Sequence, residues 1–309
     1  MDGELFEVQA SSTRYSPFVG GNRQIIYHGV NKSGSLVLSN VLRAGYQAAG
    51  REGEFHSRYH KAIRPKSLDA FIRIADEARE PGFFVSHNLW GALRASPDRI
   101  FITQFRHPLP RIVSAYHWLK NKHERARQED PSLRPYPSLE DFVKRSKGVR
   151  HSQVAQFAAG YGANGMKARK QLTAKQLLPL AKDAIHSGVY AVGLAERSEE
   201  SIFMFAHLCG LPRVPGWRRD ERNRNRPHVS QLRPEEIELI QEVFAREFRF
   251  YHWVVERFEE QLSHFEFGPS LERYKAACEG QYKDRLLWPG KDAVPASGSL
   301  PPRAVEVSQ

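Results

Sequence analysis

Residues Gln24 to Tyr46 read QIIYHGVNKSGSLVLSNVLRAGY. The apolar run Ile25-Ile26-Tyr27 predicts a short buried strand that stops at Gly29. A small polar loop follows, Val30-Asn31-Lys32-Ser33-Gly34-Ser35, and Leu36, Leu38, Val41 and Leu42 then recur at helical spacing. Strand, small-residue loop with one lysine, then helix is the layout of an anion site. The first N–H groups of a helix have no partner within it, the helix dipole favours negative charge there, and Gly34 lets the backbone come close. Lys32, Ser33 and Ser35 add side-chain donors. An ordinary glycine–serine turn has the same composition, so the loop alone is open to both readings.

Gly29 to Gly34 satisfies the G-x-x-x-x-G half of a Walker A loop, but Ser35-Leu36 stand where Lys-Ser/Thr would follow. The lysine comes before the second glycine instead. A lysine for β- and γ-phosphates and a hydroxyl for magnesium are thus both missing from their usual places, which argues against a P-loop kinase.

With 309 residues, the chain is long enough for one large α/β domain. At 40% hydrophobic and 26% charged residues it reads as globular. The formal charge of +11 implies an anionic partner: nucleic acid, anionic lipid, polyanionic glycan or a multiply phosphorylated cofactor. Two cysteines, Cys209 and Cys278, make neither a disulfide framework nor a zinc spacing, and Cys209 falls in an apolar helical pattern as a core residue. His56 and His60 are four apart, but no third ligand or HExxH glutamate accompanies them, so no metal is expected. The N-terminal stretch lacks the basic and apolar regions of a secretory signal, and no apolar run reaches transmembrane length. A cytoplasmic protein is expected.

In chain order, residues 1–21 are polar and read as a loose arm, and Glu52 to Lys66 as a loop. Ser67 to Arg79 predicts a helix with Leu68, Phe71, Ile72 and Ala75 on one face. Gly82 to Ser86 and Arg99 to Gln104 read as strands, the first leading into His87 and the second into Phe105-Arg106-His107-Pro108. A helix is expected from near Pro110, where proline costs least. Residues 121–137 read as a solvated excursion, followed by helices near 138–146, 151–159 and 173–186. A strand at Tyr190 to Leu194 and a helix at Ser198 to Leu208 come next. An arginine-rich loop, with Arg218, Arg219, Arg222, Arg224 and Arg226, precedes one amphipathic helical pattern from Pro234 to Phe265. The Pro/Gly/Ser-rich tail 288–309 is expected to be disordered. Strands alternating with helices predict a central, mostly parallel sheet flanked by helices, and such sheets bind ligands beyond the carboxyl ends of their strands. The stretches 30–36, 86–88 and 105–111 all lie just there.

In the run Ile102 to Lys120, ITQFRHPLPRIVSAYHWLK, the residues Arg106, Pro108, Arg111, Ser114 and Tyr116 match R-[DE]-P-x-x-R-x-x-S-x-Y after a strand. With Lys-Ser-Gly-Ser at 32–35 after an earlier strand, the chain resembles the sulfotransferases that use 3′-phosphoadenosine 5′-phosphosulfate (PAPS). FFVSH at 83–87 and VGLAE at 192–196 resemble segments of the carbohydrate 2-O-sulfotransferase-like branch and its bacterial relatives. The resemblance implies a three-layer, P-loop-like sulfotransferase fold over 22–268, with a C-terminal extension at 269–287, and a bacterial source. It implies that Lys32, Ser33, Gly34 and Ser35 hold the 5′-phosphosulfate and that Arg106 and Ser114 hold the 3′-phosphate. In the arginine-rich loop, Arg222, Arg224 and Arg226 have two functional readings, closing over that phosphate or recruiting an anionic glycan. It also implies a carbohydrate or glycolipid acceptor. Asn31 stands in place of the family's proline, Leu36 in place of a threonine or serine, and His107 in place of an acidic residue.

Sulfuryl transfer needs a base for the acceptor hydroxyl and stabilisation of charge on the transferring and leaving oxygens. His87, with an ordinary pKa near working pH, is the expected base, and Lys32 the expected electrostatic donor. Plainer readings exist: a histidine bonded at a strand end, and an arginine run that is solvated or recruits an anionic glycan. The competing functions are a P-loop-type kinase and a non-enzymatic polyanion or nucleic-acid binder.

Overall fold

In the computed structural model the described residues are 4–18, 23–57, 68–77, 81–87, 89, 93, 96–146, 152–159, 172, 174–217 and 229–278. Leu5–Glu7 (β1) and Ala10–Ser12 (β2) come first. Gln24–Gly29 (β3) then enters the core and is buried along its whole length, as its apolar run predicts. It leads into the helix Ser35–Ala48 (α1), which turns Leu38, Val41, Leu42 and Tyr46 inward. Phe55–Ser57 (β4), the helix Leu68–Glu77 (α2) and Gly82–Ser86 (β5) follow, and then Arg99–Phe105 (β6). The chain continues through the helices Pro108–Glu129 (α3), Leu139–Ser146 (α4), Gln153–Ala159 (α5) and Ala174–Gly188 (α6) to Ala191–Leu194 (β7). Ser198–Leu208 (α7), Arg213–Pro215 (β8), Pro234–Val243 (α8), Ala245–Leu262 (α9), Phe265–Phe267 (β9) and Pro269–Ala277 (α10) complete it.

Five strands form one parallel sheet in the order β4-β5-β3-β6-β7. From β3 the chain works outward to the β4–β5 side, and from β6 it continues to β7. The loops after β3 and β6 therefore leave neighbouring strands in opposite directions, which opens a crevice at the sheet's carboxyl edge. The main core gathers β3, β5, β6 and β7 with α7 and α9 through side chains such as Tyr27, Phe83, Phe84, Ile102, Phe205 and Phe258. A second cluster joins α3 to α4, α8 and α9 through Ile112, Val113, Phe142, Ile240, Phe244 and Phe248. It pins the outer side of α3, so the side that meets the crevice is held in place.

Several expectations need correction. Residues 5–7 and 10–12, expected in a loose arm, pair antiparallel with β8 and β9, and Phe6 and Tyr15 are buried. Phe55 and Ser57, expected in a loop, form an edge strand beside β5. The charged stretch after residue 120 is not an excursion: α3 runs on to Glu129 and ends just before Pro131. The expected single helix from Pro234 is broken at Phe244, whose φ of −106° and ψ of 22° lie outside the helical range. Arg222 and Arg224, like the rest of 218–228 and the tail 279–309, lie outside the described residues. Cys209 is in the core, its thiol pushed up to about 12 by burial, which suppresses thiolate chemistry.

Candidate functional site

The loop after β3 has two residues in the left-handed region, Lys32 at φ 67° and Gly34 at φ 81°. Left-handed residues in such a loop can turn backbone N–H groups towards an anion, while the Ser33 N–H is donated to the Val30 carbonyl at 3.3 Å. Gly34 is also the cap position of α1, and no side chain caps that helix among the described residues. For lysine the left-handed conformation costs about 1–2 kcal/mol, so something must hold it. Arg106 donates from Nη1 to the Lys32 carbonyl at 3.2 Å, and Gln104 donates from Nε2 to the Ser33 carbonyl at 2.7 Å. From within the loop, the Ser33 hydroxyl donates to the Val30 carbonyl at 2.7 Å and lies 3.2 Å from Ser35 Oγ. A side chain at Gly34 would add a Cβ only 3.1 Å from Gln104 Nε2 at a φ that L residues rarely adopt.

His87 follows β5 and reaches across to the foot of this loop. Its Nδ1–H donates to the Gly29 carbonyl at 2.6 Å, since a carbonyl oxygen can only accept. That bond leaves Nε2 carrying the lone pair. Burial holds the imidazole below the ordinary histidine range; the Gly29 bond opposes this, and the nearby Lys32 charge reinforces it. Burial and the Lys32 charge thus both favour the neutral imidazole.

Arg106 stands just beyond β6, almost fully buried. Gln153, at the start of α5, clasps its backbone: Arg106 N–H donates to Gln153 Oε1 at 3.1 Å, and Gln153 Nε2 donates to the Arg106 carbonyl at 3.0 Å. The next N–H, that of His107, donates to Glu196 Oε1 at 3.0 Å, and the Tyr251 hydroxyl donates to Glu196 Oε2 at 2.7 Å. Burial pushes the Glu196 carboxyl up, against the pull of Arg106, Tyr251 and His107. The His107 ring sits edge-on to Phe248 and Tyr251. Where the family's motif has a carboxylate, this chain thus has an aromatic contact, and the carboxylate beside the backbone is Glu196.

Beneath this end of β6 lies a fully buried ion pair. Arg111 Nη2 donates to Glu247 Oε2 at 3.0 Å, and Glu247 also accepts from the Ser152 hydroxyl and from the backbone N–H groups of Gln153 and Val154, each at 2.9 Å. Burying two charges is costly, and here several hydrogen bonds offset that cost. The result couples α3, α5 and α9 under Arg106. Ser114, buried one turn further along α3, faces the same region as Trp118 by helical spacing.

Of the residues singled out from the sequence, the structure brings Lys32, Ser33, Gly34, Ser35, His87 and Arg106 to one edge of the sheet. Gln104, Gln153, Glu196 and Trp118 were not singled out. The signal for Gln104 was a polar residue ending an otherwise apolar strand. No signal pointed to Gln153, whose partners are far away in the sequence.

The sulfotransferase family model matches residues 17–254, which contain the whole of this constellation. The chain belongs to the sulfotransferase family. A comparison with curated proteins finds no match. As a member of the family it is a transferase of sulfuryl groups with an acceptor substrate, and PAPS is the donor that the family generally uses. Among the described residues no helix is long and apolar enough to cross a membrane, and no group of histidine, cysteine or acidic side chains is arranged to hold a metal.

Proposed function

We propose that this sulfotransferase moves the sulfuryl group of PAPS to a hydroxyl of a carbohydrate acceptor. His87 acts as general base and Lys32 as the electrostatic stabiliser. The observation that carries this reading is the His87 Nδ1–H bond to Gly29 at the foot of the lysine-bearing loop, which assigns the lone pair of the neutral imidazole to Nε2. The donor supplies a sulfuryl group on a phosphate leaving group. His87 Nε2 takes the acceptor's proton as its oxygen bonds to sulfur. Lys32 and the N–H groups of the left-handed loop meet the charge that grows as the S–O bond to the 5′-phosphate breaks. Arg106 and Ser114 hold the 3′-phosphate, the guanidinium by its forked donors and the hydroxyl from the second turn of α3.

Calorimetric titration with 3′-phosphoadenosine 5′-phosphate, alongside ATP, tests the donor. Binding of the bisphosphate and none of ATP is expected. Binding of ATP alone would favour a kinase, and binding of neither would leave the +11 charge and a polyanion ligand as the better account. For the base, His87→Ala is expected to abolish transfer while bisphosphate binding persists; retained turnover would remove His87 from the role.

A further inference from the structure

Trp118 is the largest apolar side chain exposed among the described residues, at 48%. It stands beside the chemistry: Lys32 Nζ lies 5.5 Å from its ring centroid, and Lys122 Nζ lies 5.9 Å from the same centroid. Ser114, Trp118 and Lys122 succeed one another at intervals of four on α3 and so share a face. Helical side chains lean towards the helix N-terminus, which carries the indole back over the turn that meets the loop. Lys122 is exposed and makes no ion pair among the described residues.

We propose that Trp118 and Lys122 are specificity-determining residues for the acceptor, the indole receiving the C–H face of a sugar ring and the Lys122 ammonium an anionic substituent on that ring or its neighbour. The inference rests on the carbohydrate-sulfation reading above and deepens it. The axial C–H groups of a pyranose meet the negative face of an indole, and the indole's breadth orients the ring without using its hydroxyls. A ring stacked there would lie against Lys32, the residue assigned above to the transferring group. Two ammonium groups on one aromatic ring make the bay attractive to a carboxylate or sulfate, and a neutral sugar would offer Lys122 no anion.

The probes are two tetrasaccharides, one of alternating glucuronate and N-acetylglucosamine and one of N-acetylglucosamine alone. Each is titrated into the full chain saturated with 3′-phosphoadenosine 5′-phosphate. The uronate form is expected to bind about tenfold more tightly, Trp118→Ala to lose about tenfold, and Trp118→Phe to keep most of the affinity. Lys122→Gln is expected to narrow the gap between the two probes. Equal binding of both, unchanged affinity in Trp118→Ala, or binding of neither would overturn the proposal. The nucleotide titration separates the two layers: a bisphosphate that binds wild type and Trp118→Ala alike leaves the donor reading standing whatever the glycan does. A bisphosphate that fails to bind wild type removes both.

Discussion

Arginine and glutamine are paired at both ends of β6, with different partners. At the amino end Arg99 lies in register with Gln24 of β3. Its guanidinium donates to Gln24 Oε1 at 2.8 Å, to Asp76 at 3.0 Å and to the Ala75 carbonyl at 2.8 Å, while Gln24 Nε2 donates to that carbonyl at 2.6 Å. At the carboxyl end Gln104 and Arg106 reach the Ser33 and Lys32 carbonyls of a single loop. The same donors close a seam between β3, β6 and α2 at one end and brace a strained loop at the other. A polar pair contributes to function when what it holds has a second surface to present. The backbone of the Lys32–Gly34 turn has one, and the seam at Ala75 does not.

The largest effect should come from removing the support under the carboxyl end. Glu247→Ala removes the carboxylate that faces the fully buried Arg111 guanidinium and should cost about 3–5 kcal/mol in urea denaturation. The double change Arg111→Met with Glu247→Leu should recover most of it. An unchanged midpoint in the single variant would break the idea that this end is braced from below. Next, Arg106→Ala should weaken 3′-phosphoadenosine 5′-phosphate about 100-fold, as loss of charge-assisted hydrogen bonds would. Arg99→Ala should cost about 1–2 kcal/mol of stability and leave nucleotide affinity within about twofold. If the two variants lose nucleotide affinity equally, the contrast between the ends is wrong.

The smallest effect concerns proton affinity. Because burial lowers the His87 pKa, the acid limb of kcat/KM should fall below pH 6.5, with activity lost only as the imidazole protonates beneath its ordinary range. Lys32→Met removes a like charge, so the His87 midpoint followed by NMR should move up. An unchanged midpoint would mean that the two groups do not sense each other.

What could be read in the sequence depended on the length of the signal. β3 is buried along its whole length and β6 along all but its first residue, so their apolar runs stood out, and the loops that follow them hold the candidate site residues. β1, β2, β4, β8 and β9 have three residues each, too few for an alternation to show, and their pairing energy comes from distant partners. The outer half of α3 was missed because a charged helix exposed to water has no apolar face to betray it. Phe244 carries the same hydrophobic signal whether its backbone is helical or not, so the break before α9 was invisible. Within the site, Lys32, His87 and Arg106 were legible from residue type and place after a strand. Glu196 was visible as part of a segment, but its partnership with the His107 N–H and Tyr251 exists only in three dimensions.

The pairing of β1 with β8 and of β2 with β9 has a consequence for how the chain is made. Synthesis delivers β1 and β2 first, yet their partners emerge only after the loops of the candidate site and most of the helices. Throughout translation Phe6 and Tyr15 have no finished surface to enter, and the two strands present open edges to whatever is nearby. The sheet that carries β3 and β6 can assemble meanwhile, and the two short ribbons can close only once β8 and β9 have emerged. Nascent-chain arrest before Phe265 should give a protein with its central sheet formed but its first residues open to protease, and release of the full chain should seal them.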